Sequence, residues 1–268
     1  MSIPPNSPPP IMVLSGLDPT GGAGIQADIE SIASMACHAL PIVTALTVQN
    51  SHNVVRYEPV DPALLTEQAR TVLEDIPVKA FKLGMLGSPQ IVEAICDVVK
   101  DYPDLPLVLD PVLAAGGGSS LAEDETLTAM RELLLPLTTV ITPNSQEARL
   151  LAREADNLDA CAEELQDMGC SYVLITGTHE DTPEVTNTLY NNHRKLESFS
   201  WGRLPHSYHG SGCTLAASIS AMLAHGLDPF NAIHEAQEYT WQALQAGYQL
   251  SNGQYFPSRF YWSREEEH

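Results

Sequence analysis

Short apolar runs of strand length alternate along the chain with stretches whose apolar residues recur at helical spacing. Ile11–Ser15, Ile42–Thr47, Ala80–Leu83, Leu107–Leu109, Thr139–Ile141 and Tyr172–Ile175 are the strand-length runs. Between them Ala23–Ala39, Pro62–Asp75, Pro89–Lys100, Glu123–Leu135, Ser145–Ala155 and Leu158–Met168 carry the 3.6-residue period. Val54–Glu58 reads as a further short strand, and Glu184–Tyr190 with Lys195–Ser200 as a hairpin. Two helices close the pattern, one running to Ala224 and one over Pro229–Tyr248. Strands that are apolar throughout are buried on both faces. The pattern therefore predicts an α/β fold, a mostly parallel central sheet with helices on both faces. Such sheets bind ligands outside the carboxyl ends of their strands, so the chemistry should sit there.

The strand ends are polar one after another. The first runs into Ser15-Gly16-Leu-Asp18-Pro-Thr-Gly21-Gly22-Ala23-Gly24-Ile-Gln-Ala-Asp28. Within it Gly22 to Ala27 satisfies the dinucleotide pattern GxGxxG/A. Five residues separate Gly16 from Gly22, however, and no acidic residue closes the second strand, which ends Thr47-Val-Gln49-Asn50. A nicotinamide site needs a tight turn and that acidic partner. Later ends read Lys82-Leu-Gly-Met85-Leu, Asp110-Pro-Val112, Thr142-Pro-Asn144-Ser-Gln-Glu147 and Thr176-Gly177. Any one of these also suits a helix cap or turn, Asn144 especially, and Met85 alone suits a core. As a series they suggest a site, with Asp110 and Glu147 as two carboxylates able to hold a hydrated Mg²⁺. The last motif, His209-Gly210-Ser211-Gly212-Cys213-Thr214, opens an Ala-rich helix. Free N–H groups and the helix dipole make that turn an anion site. The same field would favour the Cys213 thiolate; the alternative is a small-residue turn with an inert buried cysteine.

Composition narrows the partners. With 34 acidic and 13 basic residues the net charge is −21, which excludes nucleic acid and anionic membrane as partners. The only lysines are Lys79, Lys82, Lys100 and Lys195, so backbone dipoles and a metal would have to neutralise any phosphate. Five scattered cysteines without a CxxC fit reduced thiols in the cytoplasm. No apolar run reaches membrane-spanning length. Proline-rich residues 1–10 read as a flexible arm rather than a signal peptide, residues 11–262 as one domain, and 263–268 as an acidic tail. GxxxxGK[ST], HRD and DFG are all absent, which excludes a P-loop enzyme or a protein kinase.

Together, Gly16–Asp28, Thr44–Asn50, Lys82–Leu86, Leu109–Val112, Ile141–Glu147 and His209–Leu215 resemble the hydroxymethylpyrimidine/phosphomethylpyrimidine kinases of thiamine biosynthesis, in the ribokinase-like superfamily. The likeness spans roughly residues 11–250, in order, and the cysteine of Gly-Ser-Gly-Cys is distinctive, since most of the superfamily has aspartate there. The resemblance implies a ribokinase-like fold and Mg-ATP-dependent phosphorylation of 4-amino-5-hydroxymethyl-2-methylpyrimidine, then of its monophosphate. It assigns the substrate pocket to Gly16, Asp18, Ala23, Asp28, Gln49, Met85 and Val112. It makes Gly210, Ser211 and Gly212 the anion hole and Cys213 the catalytic base. Asn144, Thr176 and Gly177 fall to the nucleotide, Asp110 and Glu147 to Mg²⁺, and a homodimer is implied. Two departures stand out. Relatives commonly have Ala-Lys-Ser-Gly where this chain has Ala115-Gly-Gly-Gly118, and Lys-Gly-Gly-His where it has Thr176-Gly-Thr-His179. A pyridoxal-type vitamer kinase and a non-catalytic pyrimidine-binding or regulatory protein are the competing readings.

Overall fold

The structure, a computed structural model, describes residues 7–113, 121 and 124–263. A nine-stranded sheet runs through them in the order β3-β2-β1-β4-β5-β6-β7-β8-β9. The strands are β1 (Pro10–Leu17), β2 (His38–Gln49), β3 (Val54–Pro59), β4 (Ala80–Leu83), β5 (Leu107–Leu109), β6 (Val140–Ile141), β7 (Tyr172–Ile175), β8 (Glu184–Asn191) and β9 (Arg194–Gly202). The six central strands are mutually parallel; β3 at one edge and the β8–β9 hairpin at the other are antiparallel. The helices are α1 (Gly24–Ser34), α2 (Pro62–Asp75), α3 (Pro89–Val99), α4 (Asp124–Ala129), α5 (Ser145–Leu151), α6 (Leu158–Asp167), α7 (Ser211–Ala224) and α8 (Pro229–Gln245).

Alternation along each strand divides the core. Met12 and Leu14 of β1 join Phe81, Leu83, Leu107 and Leu109 beneath α2, α3 and α4. Ile11 and Val13 face the other way, onto Ile25, Ile32, Ala217 and Ala221 of α1 and α7. Helix α7 is buried almost all round. Its small residues allow that, and Ser218 and Ser220 satisfy their hydroxyls on the carbonyls of Thr214 and Ala216.

Where punctuation is strong, elements start where the sequence says. Asp61, Ser88 and Asp228 each precede a proline and accept a backbone N–H of the following turn, capping α2, α3 and α8. Other boundaries differ. Helix α1 stops at Ser34 because Ala36 turns left-handed (φ 55°) and the Cys37 N–H closes back on Ile32. The expected helix Glu123–Leu135 is α4 followed by a π-turn over Met130–Leu134 and a 3-10 turn over Leu135–Leu137. Pro136 offers no N–H to continue it. Helix α5 ends at Leu151 rather than Ala155, and Asn157 caps α6. Strand β1 starts one residue earlier than expected, at Pro10, and the Pro9 carbonyl accepts the His38 N–H at 2.9 Å. Ser263 likewise belongs to a 3-10 turn, Tyr261–Ser263.

Candidate active site

The carboxyl ends of the central strands open on one cavity of about 450 Å³, a size suited to small-molecule ligands. Gly16, Asp18, Ala23, Gln49, Met85, Asp110, Val112, Asn144, Glu147, Thr176 and Gly210–Cys213 all line it. Residues from seven separate stretches thus meet in one place. Two expected residues do not line it. Asp28 lies beneath it, with no exposed surface. Gly177 is packed under β8, where its N–H donates to Asn187 Oδ1 and a Cβ would strike the Thr186 carbonyl. Of the two departures from the family pattern, Ala115–Gly118 falls outside the described residues.

Two glycine-rich loops make one wall by backbone contact. Gly210 caps α7 in the left-handed region (φ 79°), and a Cβ there would lie 2.0 Å from the Gly22 carbonyl oxygen. Gly24 (φ +56°) would set a Cβ 2.1 Å from the Gly16 oxygen. Side chains at these points would separate the loops. Asp18 braces them. Its carboxylate accepts the N–H groups of Thr20 and Ala23 and the Thr20 hydroxyl, and lies 2.8 Å from His209 Nε2. Burial alone would raise the Asp18 pKa, but His209 and Thr20 more than offset this and hold it well below the carboxylate range. Arg259 braces the same loops from behind, donating to Thr214 Oγ1, Glu30 Oε2 and the Gly22 carbonyl while almost fully buried. No motif surrounds Arg259, so nothing in the sequence marks it; His209 had only its place beside Gly210.

Behind the N-terminus of α7 sits a cluster of charges. Asp110, at the end of β5, lies against Gly212 and close to the Cys213 thiol. Its Oδ2 is buried without a hydrogen-bond partner, 4.0 Å from Lys82 Nζ. Lys82 Nζ is 2.8 Å from Asp28 Oδ1, and neither side chain has any exposed surface. The expectation that the helix field favours a Cys213 thiolate is corrected here. Burial first, and then the Asp110 charge, hold the thiol far above its ordinary range. Glu147 completes a capping box on α5: Asn144 Oδ1 accepts the Gln146 and Glu147 N–H groups, and Glu147 Oε2 accepts that of Asn144 at 2.9 Å. The cap reading of Asn144 is therefore correct, whatever else it does. Burial and the nearby Asp110 charge push Glu147 up to about 8. Two carboxylates both raised by burial, Glu147 also by the Asp110 charge, and one with an orphaned oxygen, suit a cation that keeps most of its water. Among the described residues no group of three or more His, Cys, Asp or Glu side chains forms a protein-only metal cage.

The far side of the cavity is different. Thr176, Thr178 and His179 line it from the loop after β7. Arg203 is the one lysine or arginine among the described lining residues. Its guanidinium donates to the Thr178, Glu180 and Thr182 carbonyls.

Known proteins with this arrangement are numerous. The chain is 35% identical over 262 residues to a hydroxymethylpyrimidine/phosphomethylpyrimidine kinase of Synechococcus elongatus, covering 94% of this chain and 98% of that one. It is 34% identical over 242 residues, 88% of its own length, to a probable thiamine biosynthetic bifunctional enzyme of Oryza sativa, of which it spans 44%. An ADP complex of Bacillus subtilis pyridoxal kinase superposes with a TM-score of 0.84 at 30% identity, over 94% of this chain and 98% of that one. A phosphomethylpyrimidine kinase from Clostridium difficile gives 0.75 at 31%, over 88% and 99%. The fold is thus ribokinase-like, as expected. The phosphomethylpyrimidine kinase family model matches residues 18–258, and the chain belongs to that family of phosphotransferases.

Proposed function

We propose that this enzyme transfers the terminal phosphoryl group of ATP to the hydroxymethyl group of 4-amino-5-hydroxymethyl-2-methylpyrimidine, and then to the resulting monophosphate. The observation that carries the reading is the convergence of Gly16, Gln49, Met85 and Val112 with Asp110 and Gly210–Cys213 on one cavity. The pyrimidine ring would lie beside Gly16 and Met85, which pack against each other, and Gln49 would supply an amide for ring nitrogen and amino groups. Its hydroxymethyl arm would then point at the α7 N-terminus, whose N–H groups would hold the transferring phosphoryl. Asn144 and Thr176 would take the nucleotide phosphates. Asp110 and Glu147 would hold Mg²⁺, which when bound supplies charge neutralisation for the phosphates. Mg²⁺ held there would also offset the Asp110 charge, one of the causes, after burial, that keep the Cys213 thiol protonated.

The test is ADP release measured with the alcohol and, separately, with the monophosphate. Turnover of both supports the reading, and turnover of neither ends it. The likeness to the Bacillus pyridoxal kinase motivates a second arm: pyridoxal preferred over the pyrimidine alcohol in competition would reassign the acceptor. Among the described residues no helix is long and apolar enough to cross a membrane, and all five cysteines are free, which supports a cytoplasmic site of action. Leu17, Leu46 and Val48 form an exposed apolar row on neighbouring strands. That row supports a homodimer, which sedimentation would check.

A further inference from the structure

A lysine inside a parallel sheet needs an explanation. Lys82 sits on β4, between β1 and β5, with Phe81 and Leu83 beside it in the core and no exposed surface of its own. Burying an ion pair does not by itself favour folding over well-packed apolar side chains. What Lys82 does that an apolar residue cannot is place a fixed positive charge behind Asp110.

The geometry is unequal. Lys82 Nζ is 2.8 Å from Asp28 Oδ1 but 4.0 Å from Asp110 Oδ2. At the first distance the ammonium is held; at the second it acts through space without occupying the oxygen's lone pairs. Asp110 Oδ2, like Lys82 Nζ and both Asp28 carboxylate oxygens, is buried without a hydrogen-bond partner, so the three charges are held by ion-pair contact rather than by hydrogen bonds. Gly84 keeps the arrangement open, since a Cβ there would lie 2.8 Å from Lys82 Nζ and 2.3 Å from Ser15 Oγ.

We propose that Lys82 is a positioning residue for the reaction, which places a fixed positive charge behind Asp110 and beneath the α7 N-terminus, and that Asp28 serves to keep the Lys82 ammonium from bonding Asp110 directly. The inference deepens the kinase reading and rests on Asp110 serving the metal–phosphate group. It gives Asp28 a place in the site although it does not line the cavity.

Lys82→Met alone strands Asp28 and is expected to unfold the protein, so the decisive variant is the double Asp28→Asn/Lys82→Met, which removes both charges. It should recover most of the wild-type Tm. Two readouts then separate positioning from a merely structural pair. The first needs no turnover: the rise in Tm produced by ADP with Mg²⁺ beyond that with ADP alone should fall to less than half in the double variant. The second is kinetic: kcat should drop at least 30-fold while KM for the pyrimidine alcohol changes less than threefold. A double variant with wild-type magnesium-dependent stabilisation and wild-type kcat overturns the proposal. Asp28→Asn alone supplies the second check, because it frees Lys82 to bond Asp110. It should lower kcat with KM unchanged, and wild-type kcat would overturn the role of Asp28. If the wild type shows magnesium-dependent stabilisation by ADP but no turnover of the pyrimidine alcohol, the acceptor assignment fails while the proposal on Lys82 is still decided by the first readout.

Discussion

The two ends of the cavity are built on opposite principles. At the end formed by β1, β4, β5 and α7, nearly every side chain is buried and multiply held: Asp18 by four hydrogen bonds from three residues, Arg259 by three, Lys82 between two carboxylates. At the end formed by the β7–β8 loop and the β8–β9 hairpin, the positive charge belongs to an exposed arginine spent on loop carbonyls. Precision is concentrated where a proton and a phosphoryl group would change hands. The end left looser is the one where, under the proposed function, a nucleotide would enter and leave. Among the described residues neither end offers a free lysine or arginine, so under the proposed function phosphate charge would fall to backbone N–H groups and metal.

The sharpest way to break the comparison lies at the tightly held end. Under the base assignment, Cys213→Ala should slow phosphorylation of the alcohol by roughly 10²–10⁴-fold. The monophosphate should suffer far less, because its attacking oxygen is already anionic. Comparing kcat/KM for the two acceptors decides it; equal losses would make the cysteine part of the anion hole instead. Gly212→Ala is sterically mild, since its Cβ would sit 3.5 Å from Asp110 Oδ1, but it places a methyl at the anion site. It should therefore cost both half-reactions about 10²–10³-fold with little change in Tm.

Next in size is Glu147→Gln, which preserves a capping-box acceptor while removing the charge. The Mg²⁺ concentration for half-maximal activity should rise about tenfold, as for loss of a supporting ligand. An unchanged magnesium titration would remove Glu147 from the metal assignment. Asp18 then tests the bracing of the loops. Its folded-state pKa is depressed, so its contribution to stability is present above its unfolded pKa and is lost as pH falls below it. Asp18→Asn should destabilise by about 1–3 kcal/mol at pH 7. The gap in Tm between variant and wild type should narrow from pH 5 to pH 3; a constant gap would mean that the charge is not what matters. The smallest effect belongs to the looser end. Arg203→Met should raise KM for ATP a few-fold, with stability changed by no more than about 0.5 kcal/mol. A large loss of kcat there would show the two ends to be less different than they look.

Much of this was legible in one dimension. Periodicity and continuous apolar runs dictated the alternation of strands and helices, because a strand buried on both faces must be apolar throughout. Asp61-Pro62, Ser88-Pro89 and Asp228-Pro229 announced their helices through local cap chemistry, which needs nothing from the rest of the fold. The polar strand ends marked the cavity, because parallel strands all deliver their carboxyl ends to one edge. What the tertiary structure alone decided concerns charge. Cys213 sits at a helix N-terminus, as its motif implied, yet burial and Asp110 reverse the effect of that field on its thiol. Asp28 stands one turn into α1 beside true lining residues, yet faces Lys82 across the core. Arg259, without any motif, pins both glycine loops. Desolvation and through-space charge depend on neighbours distant in sequence, such as Gly22 and Arg259 or Asp28 and Lys82, and only folding brings these together.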